Sequence, residues 1–197
     1  LNALDVTKLS VTQIKGLTST TFDALSTTQA QALTTTQIAA MSATGVEALS
    51  SDEVQGWSNN QLGALTSRQI AGLTTTALAD FSTTQLGSLT STQVRGLTAS
   101  QLNSLDTTQL QALNVTDLST VQIGGLNSTG VGNLSSTQAR ALTTAQVAAL
   151  TTTALSAIAS DDVQAWANTQ LNAITTRQLS ALSTTTLANF TDTQLGD

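Results

Sequence analysis

The 197-residue chain contains no cysteine, histidine, proline or tyrosine. No disulfide, thiolate nucleophile, Cys/His zinc site or histidine-based triad can be built from it. Aromatic residues make up 3% and charged residues 9%. Six Lys and Arg against twelve Asp and Glu leave a net charge of −6 and an isoelectric point near 4.2. A chain so poor in cations is not suited to nucleic acid or to an anionic membrane. Unbroken apolar runs extend over only a few residues, so no segment reads as a transmembrane span. There is no Gly-rich phosphate loop, nucleophile elbow or Asp-rich calcium loop. Catalysis would fall to Lys or Ser alone, so no enzymatic activity, metal or cofactor is expected.

What the chain does contain is 39 Thr, 21 Ser and 29 Leu. They are arranged in a repeat of eight residues, Leu-(Ser/Thr)-Thr-Thr-Gln-(Leu/Ile/Val)-x-(Ala/Gly). From Leu17 the octads begin at Leu25, Leu33, Met41, Leu49, Trp57 and onward to Leu105. A unit of five, Leu113 to Asp117, intervenes, and octads resume at Leu118. A longer period of 109 residues lies over the octads. Residues 4–88 and 113–197 are identical at 47 of 85 positions, and Leu4 to Lys8 matches Leu113 to Asp117. The expected organisation is therefore the end of a preceding repeat at 1–3, a first module at 4–112 and an incomplete second module at 113–197. Each module is one short unit plus thirteen octads.

The octad reads as a helix start. With Ser or Thr at position 2 as N-cap, Gln at position 5 is N3, which makes an S/T-x-x-Q capping box. Leu at position 1 and Leu/Ile/Val at position 6 are then N′ and N4, the hydrophobic staple. One continuous helix fails on arithmetic: at ~100° per residue, successive Leu residues drift by ~80° per octad and never form a stripe. A chain that restarts a helix every eight residues keeps its large apolar groups on one side. Such short helices are unstable alone and must stack on neighbours. The expected fold is all-α, a solenoid of very short helices with about 16 residues per turn. The alternative is a β-solenoid, since Thr, Val and Ile favour strands. The odd spacing of positions 1 and 6 argues against it, because a strand would place them on opposite faces.

Several residues stand out as possible inter-turn or lateral contacts. Asp52 and Arg68 share position 4 and are sixteen apart, as are Asp161 and Arg177. In a sixteen-residue turn each pair would stack as a surface salt bridge. Trp57, Trp166, Phe81 and Phe190 replace Leu at position 1, either as bulky core or as contacts between filaments. The doublets Asp52-Glu53 and Asp161-Asp162 suit the N2 and N3 positions of a helix, where negative charge meets the macrodipole. A cation or acid–base site is the alternative for them. The short units read as a turn or register step, or as a junction where partners dock. Thr runs such as Thr34 to Thr36 and Thr151 to Thr153 serve capping and solvation, or a flat surface for ice or carbohydrate.

The repeated L-T-T-x-Q-V/I/L-x-A-L pattern resembles the Thr/Ala/Leu/Gln-rich short repeats of very large exported bacterial proteins of the adhesin and surface-filament kind. The resemblance implies an elongated, extracellular, structural role and assigns no functional residues. The chain opens on Leu1 within a repeat, as a window cut from a longer protein would, with targeting signals outside it. Self-association into a fibre, or continuation of a longer array, is the expected partnership. A Thr-rich module that binds ice or carbohydrate, and an intracellular scaffold, are the alternatives.

Overall fold

A computed structural model describes residues 4–191 and Gln194. The segment 1–3 and the last residues of the second module lie outside the described residues. Among the described residues are twenty-two α-helices of four to six residues, two 3-10 turns and no strand. The fold is the expected α-solenoid of short helices.

Most helices begin by the same local chemistry, the exceptions including those whose N-cap is Ala159 or Ala167. At Thr34 the backbone is extended, with φ −74° and ψ 157°. Its Oγ1 accepts from Gln37 N–H at 3.3 Å, and Gln37 Oε1 accepts from Thr34 N–H at 2.9 Å. This reciprocal pair satisfies two of the amides that a helix N-terminus leaves free. The helix Thr35–Ala40 ends at Met41, whose N–H donates to Ile38 O at 3.2 Å and whose ψ is 152°. The chain then enters the next cap at Ser42. Among the described residues none has a positive φ, glycines included. Termination comes from an extended pair at positions 1 and 2, not from a left-handed glycine, and this is why the repeat needs few glycines and no proline.

The described residues divide into two compact units, one up to Leu97 and one from Thr98. This boundary falls inside the first 109-residue module: the duplication period and the contact boundary are separate properties. In the first unit, Val11–Gly16 packs on Thr35–Ala40 and Thr35–Ala40 on Asn59–Gly63. Likewise Ser19–Asp23 packs on Ala43–Glu47, Ala43–Glu47 on Ser67–Gly72, and Ser67–Gly72 on Ser91–Val94. In the second unit, Thr120–Gly124 packs on Thr144–Ala149, and Ser128–Gly132 on Thr152–Leu155. Each of these partners is the third helix along, so one turn takes three octads, 24 residues, and not 16; beside the short unit, Ala99–Ser104 packs on both Thr120–Gly124 and Ser128–Gly132. The bend between consecutive helices is set by the extended pair at positions 1 and 2. Three such bends close a turn where two were expected.

Positions 1 and 6 fill the interior: Leu33, Ile38, Leu65, Ile70, Leu105, Leu110, Ile123 and Val147 are all buried. The short units take a place in this scheme instead of interrupting it. Val6–Lys8 and Val115–Asp117 are 3-10 turns. They are capped by Asp5 and Asn114, which accept from Thr7 and Thr116 N–H, and Val6 and Val115 are buried. The turn Val115–Asp117 packs against Ser136–Ala141, three units further on. A five-residue unit thus fills one side of a turn and shortens it by three residues.

Departures from the consensus compensate one another. Phe22 sits at position 6 and is fully buried. Its ring occupies the space beside Gly45, where a Cβ would lie 2.8 Å from Cε2. At the equivalent places of the second module stand Val131 and Ala154, a smaller side chain facing a larger one. Gly45→Ala is therefore expected to destabilise the first unit by about 1–2 kcal/mol, the overpacking cost outweighing the better helix propensity of Ala. Adding Phe22→Val should remove the clash. Urea unfolding of the two single variants and the double variant would reveal a non-additive cycle.

Candidate interaction site

The residue that joins successive turns is the position-5 glutamine. Gln69 Nε2 donates to Ile38 O at 2.8 Å and to Met41 O at 2.9 Å. Gln93 does the same to Leu62 O and Leu65 O, and Gln178 to Val147 O and Leu150 O. The acceptors lie 31 and 28 residues back. One amide thus caps its own helix through Oε1 and holds the turn below through both N–H bonds, using its full bonding capacity. Across the short unit the reach contracts by three: Gln138 Nε2 donates to Leu110 O and Leu113 O, 28 and 25 residues back.

Sequence reasoning assigned this glutamine to capping alone. A signal for its second role was present. A capping box accepts Glu as readily as Gln, yet fifteen of twenty-three octads carry Gln at position 5 and one carries Glu. Only Gln can donate.

The aromatic residues belong to the interior. Trp57, Phe81, Trp166 and Phe190 are buried, in the place of the consensus leucine. Trp57 Nε1 donates to Ala30 O at 3.0 Å, and Trp166 Nε1 to Ala139 O at 2.9 Å. Each indole takes the carbonyl that the glutamine four residues on would otherwise take. Gln61 and Gln170 move by one residue, to Gln31 O and Arg140 O.

Glu53 and Asp162 are buried N3 residues and Asp52 and Asp161 exposed N2 residues of their helices, as dipole complementarity requires. Glu53 accepts from Ser50 N–H at 2.8 Å. Asp162 pairs with Arg140, Nε to Oδ1 at 3.0 Å, from the turn below. The expected pairing of Asp52 with Arg68, and of Asp161 with Arg177, is not formed. Asp52 lies on Ser51–Gln55 and Arg68 on Ser67–Gly72, two helices apart, and stacking joins helices three apart. Two acids with lowered pKa values, Asp5 and Asp106, are N-caps. Gln109 N–H, and then the Thr108 hydroxyl, hold the Asp106 carboxyl below the usual range, and the Thr7 hydroxyl does this first for Asp5.

Clefts with equivalent linings occur in both units. A cleft of about 630 Å³ in the first unit is lined by Lys15, Ala40, Ser42, Thr66 and Arg68 among others. A cleft of about 490 Å³ in the second is lined by the equivalent Ala149, Thr151, Thr175 and Arg177. Both guanidinium groups are exposed. Neither has an acidic partner among the described residues. Among those residues no three His, Cys, Asp or Glu side chains come together as a metal site. Nor is any helix long and apolar enough to cross a membrane.

Stacked octads, a leucine interior and a glutamine bridge repeated from turn to turn define a class: a repeat protein of the short-helix solenoid type. The ALTTAQ repeat family model matches residues 46–75 and 115–152, about a third of the chain. No curated protein is significantly similar in sequence.

Proposed function

We propose that the chain is a structural, non-catalytic segment of an elongated bacterial surface protein, either a fibre element or the stalk that projects an adhesive domain. The observation that carries this reading is the glutamine bridge. The contacts between turns are made by residues that recur in octad after octad, so length is added without a new fold. A low-charge, acidic, Thr- and Ser-rich exterior supports solubility of such an array. The resemblance to exported adhesin-like repeats supports the location.

Limited proteolysis of intact source cells, with antibodies against this segment and immunogold electron microscopy, tests the reading. Loss of the epitope from intact cells and label outside the envelope are the expected results. Protein recovered only from the cytosol would replace the reading with an intracellular scaffold. Ice-shaping activity lost on replacing the exposed Thr35, Thr36, Thr75 and Thr76 by Lys, with helicity intact, would replace it with a surface-binding module.

A further inference from the structure

We infer that the cleft of the first unit binds an anionic sugar, its carboxylate paired with Lys15 and Arg68 and its hydroxyl groups bonded to Ser42 and Thr66. The inference goes beyond the structural reading above and stands whether or not the chain lies on a cell surface.

Arg68 is the residue that the fold leaves unexplained. It is the second residue of the helix Ser67–Gly72, and Arg177 is the second residue of Thr176–Ala181. The macrodipole disfavours a cation in the first turn. No acidic partner among the described residues offsets this for either arginine. Comparison of the modules sets Arg68 apart as well. Lys8 and Lys15 stand opposite Asp117 and Gly124, whereas Arg68 stands opposite Arg177. An exposed arginine placed against the dipole, without an acid beside it and present in both modules, points to an anion supplied from outside the fold.

The first cleft adds a second cation. Lys15 lines it together with Arg68, and no Asp or Glu does. Lys15 too has no acidic partner among the described residues. Two of the six cations of an acidic chain thus border one opening. Its volume of about 630 Å³ suits a small molecule and is far more than a bare ion fills.

The rest of the lining identifies the kind of molecule. Thr66 Oγ1 donates to Gln69 Oε1 at 2.8 Å and accepts from Gln69 N–H at 3.2 Å, which leaves one lone pair. Ser42 Oγ accepts from Gly45 N–H at 3.0 Å and makes one further bond, to Thr44 Oγ1, so it also keeps a bonding position. Both suit the hydroxyl groups of a sugar. Ala40 and Ala43 offer methyl surface to the C–H face of its ring. No aromatic residue lines the cleft, so there is no platform for a nucleobase. The net charge of −6 repels densely charged polyanions. A ligand with one carboxylate on an otherwise neutral, hydroxylated ring meets all of these conditions, with the arginine able to grip the carboxylate through two parallel N–H bonds. The cleft of the second unit provides an internal control. It repeats Thr175 and Arg177, but Gly124 stands where the first unit has Lys15.

Titration of the 197-residue chain with glucuronic acid at low salt, followed by amide NMR shifts, is the test. Shifts at Ser42, Thr66 and Arg68 should saturate with a dissociation constant of about 1 mM. Those at Thr151, Thr175 and Arg177 should need at least about threefold more ligand, the factor that one exposed ion pair supplies. Lys15→Gln should bring the first cleft to the affinity of the second. Arg68→Gln should abolish the shifts in the first cleft and leave those around Arg177 unchanged. Both side chains are exposed, and the remaining amide signals report that each variant keeps its fold. Glucose should bind in neither cleft. Absence of saturable shifts with glucuronic acid, equal shifts with glucose, or unchanged affinity in Lys15→Gln or Arg68→Gln would overturn the proposal. Inorganic phosphate bound as tightly as glucuronic acid would overturn its assignment to a sugar.

Discussion

Replacing Gln146 by Leu is expected to destabilise the second unit by about 2–5 kcal/mol. Gln146 is 2% exposed. Its Oε1 accepts from Thr143 N–H at 2.8 Å, and its Nε2 donates to Val115 O at 2.7 Å and Leu118 O at 2.8 Å. Leucine fills a similar space and makes none of these bonds. Val115 O still accepts from Leu118 N–H, but the Leu118 carbonyl is left buried without a partner, and the cap loses its acceptor. The loss appears as a lower urea midpoint followed at 222 nm.

Two further variants separate the two roles of the amide. Gln13 is exposed and, among the described residues, serves only its own cap. Gln13→Leu should cost only about 0.5–2 kcal/mol. Gln146→Glu keeps the cap acceptor but sets a carboxylate against two carbonyl oxygens, which favours the protonated acid and raises its folded-state pKa above the unfolded value. Its stability is therefore greatest below the unfolded value of about 4.3 and falls as pH rises through the folded one. A Gln146→Glu protein as stable as wild type at pH 7 would refute the bridging role.

The sequence made the octad legible because the forces that define it are local. N-cap, capping box and staple all lie within five residues, so Ser10, Thr34 and Thr143 announce their helices directly. The burial of Trp57 and Phe81 follows from their standing at position 1. The closure of the turn is different in kind. It depends on the bend at residues such as Met41 and Ser42, whose ψ angles of 152° and 159° carry no mark in the eight-residue spacing. Two bends and three bends are equally compatible with the pattern, and the choice of two led to the expected stacking of Asp52 on Arg68. The same gap hid the far end of each glutamine, because its acceptors at 28 and 31 residues cannot be located until the turn is known. The short units were legible as a change of phase. Only packing shows that Val115 replaces a whole octad in the stack.

Trp57→Ala is expected to cost about 3–5 kcal/mol, and a companion change should show where that energy resides. Trp57 is 4% exposed. Its partner Ala30 is fully buried at position 6, where most octads carry Leu, Ile or Val. Trp166 and Ala139 repeat the arrangement. A large residue at position 1 is thus matched by a small one at position 6, 27 residues earlier. The hydrogen bond is the lesser part of the cost, because Gln61 can return to the Ala30 carbonyl once the indole is gone, as its counterparts do in other turns. Packing is the greater part. Trp57→Leu alone should leave a void and destabilise, and Ala30→Leu alone should overpack by about 1–3 kcal/mol. Together they restore the consensus octad and should come within about 1 kcal/mol of wild type, a coupling that a double-mutant cycle from urea midpoints measures directly. Strictly additive losses would mean that the indole fills space which Ala30 does not provide, and the paired substitution in the second module would then need another cause.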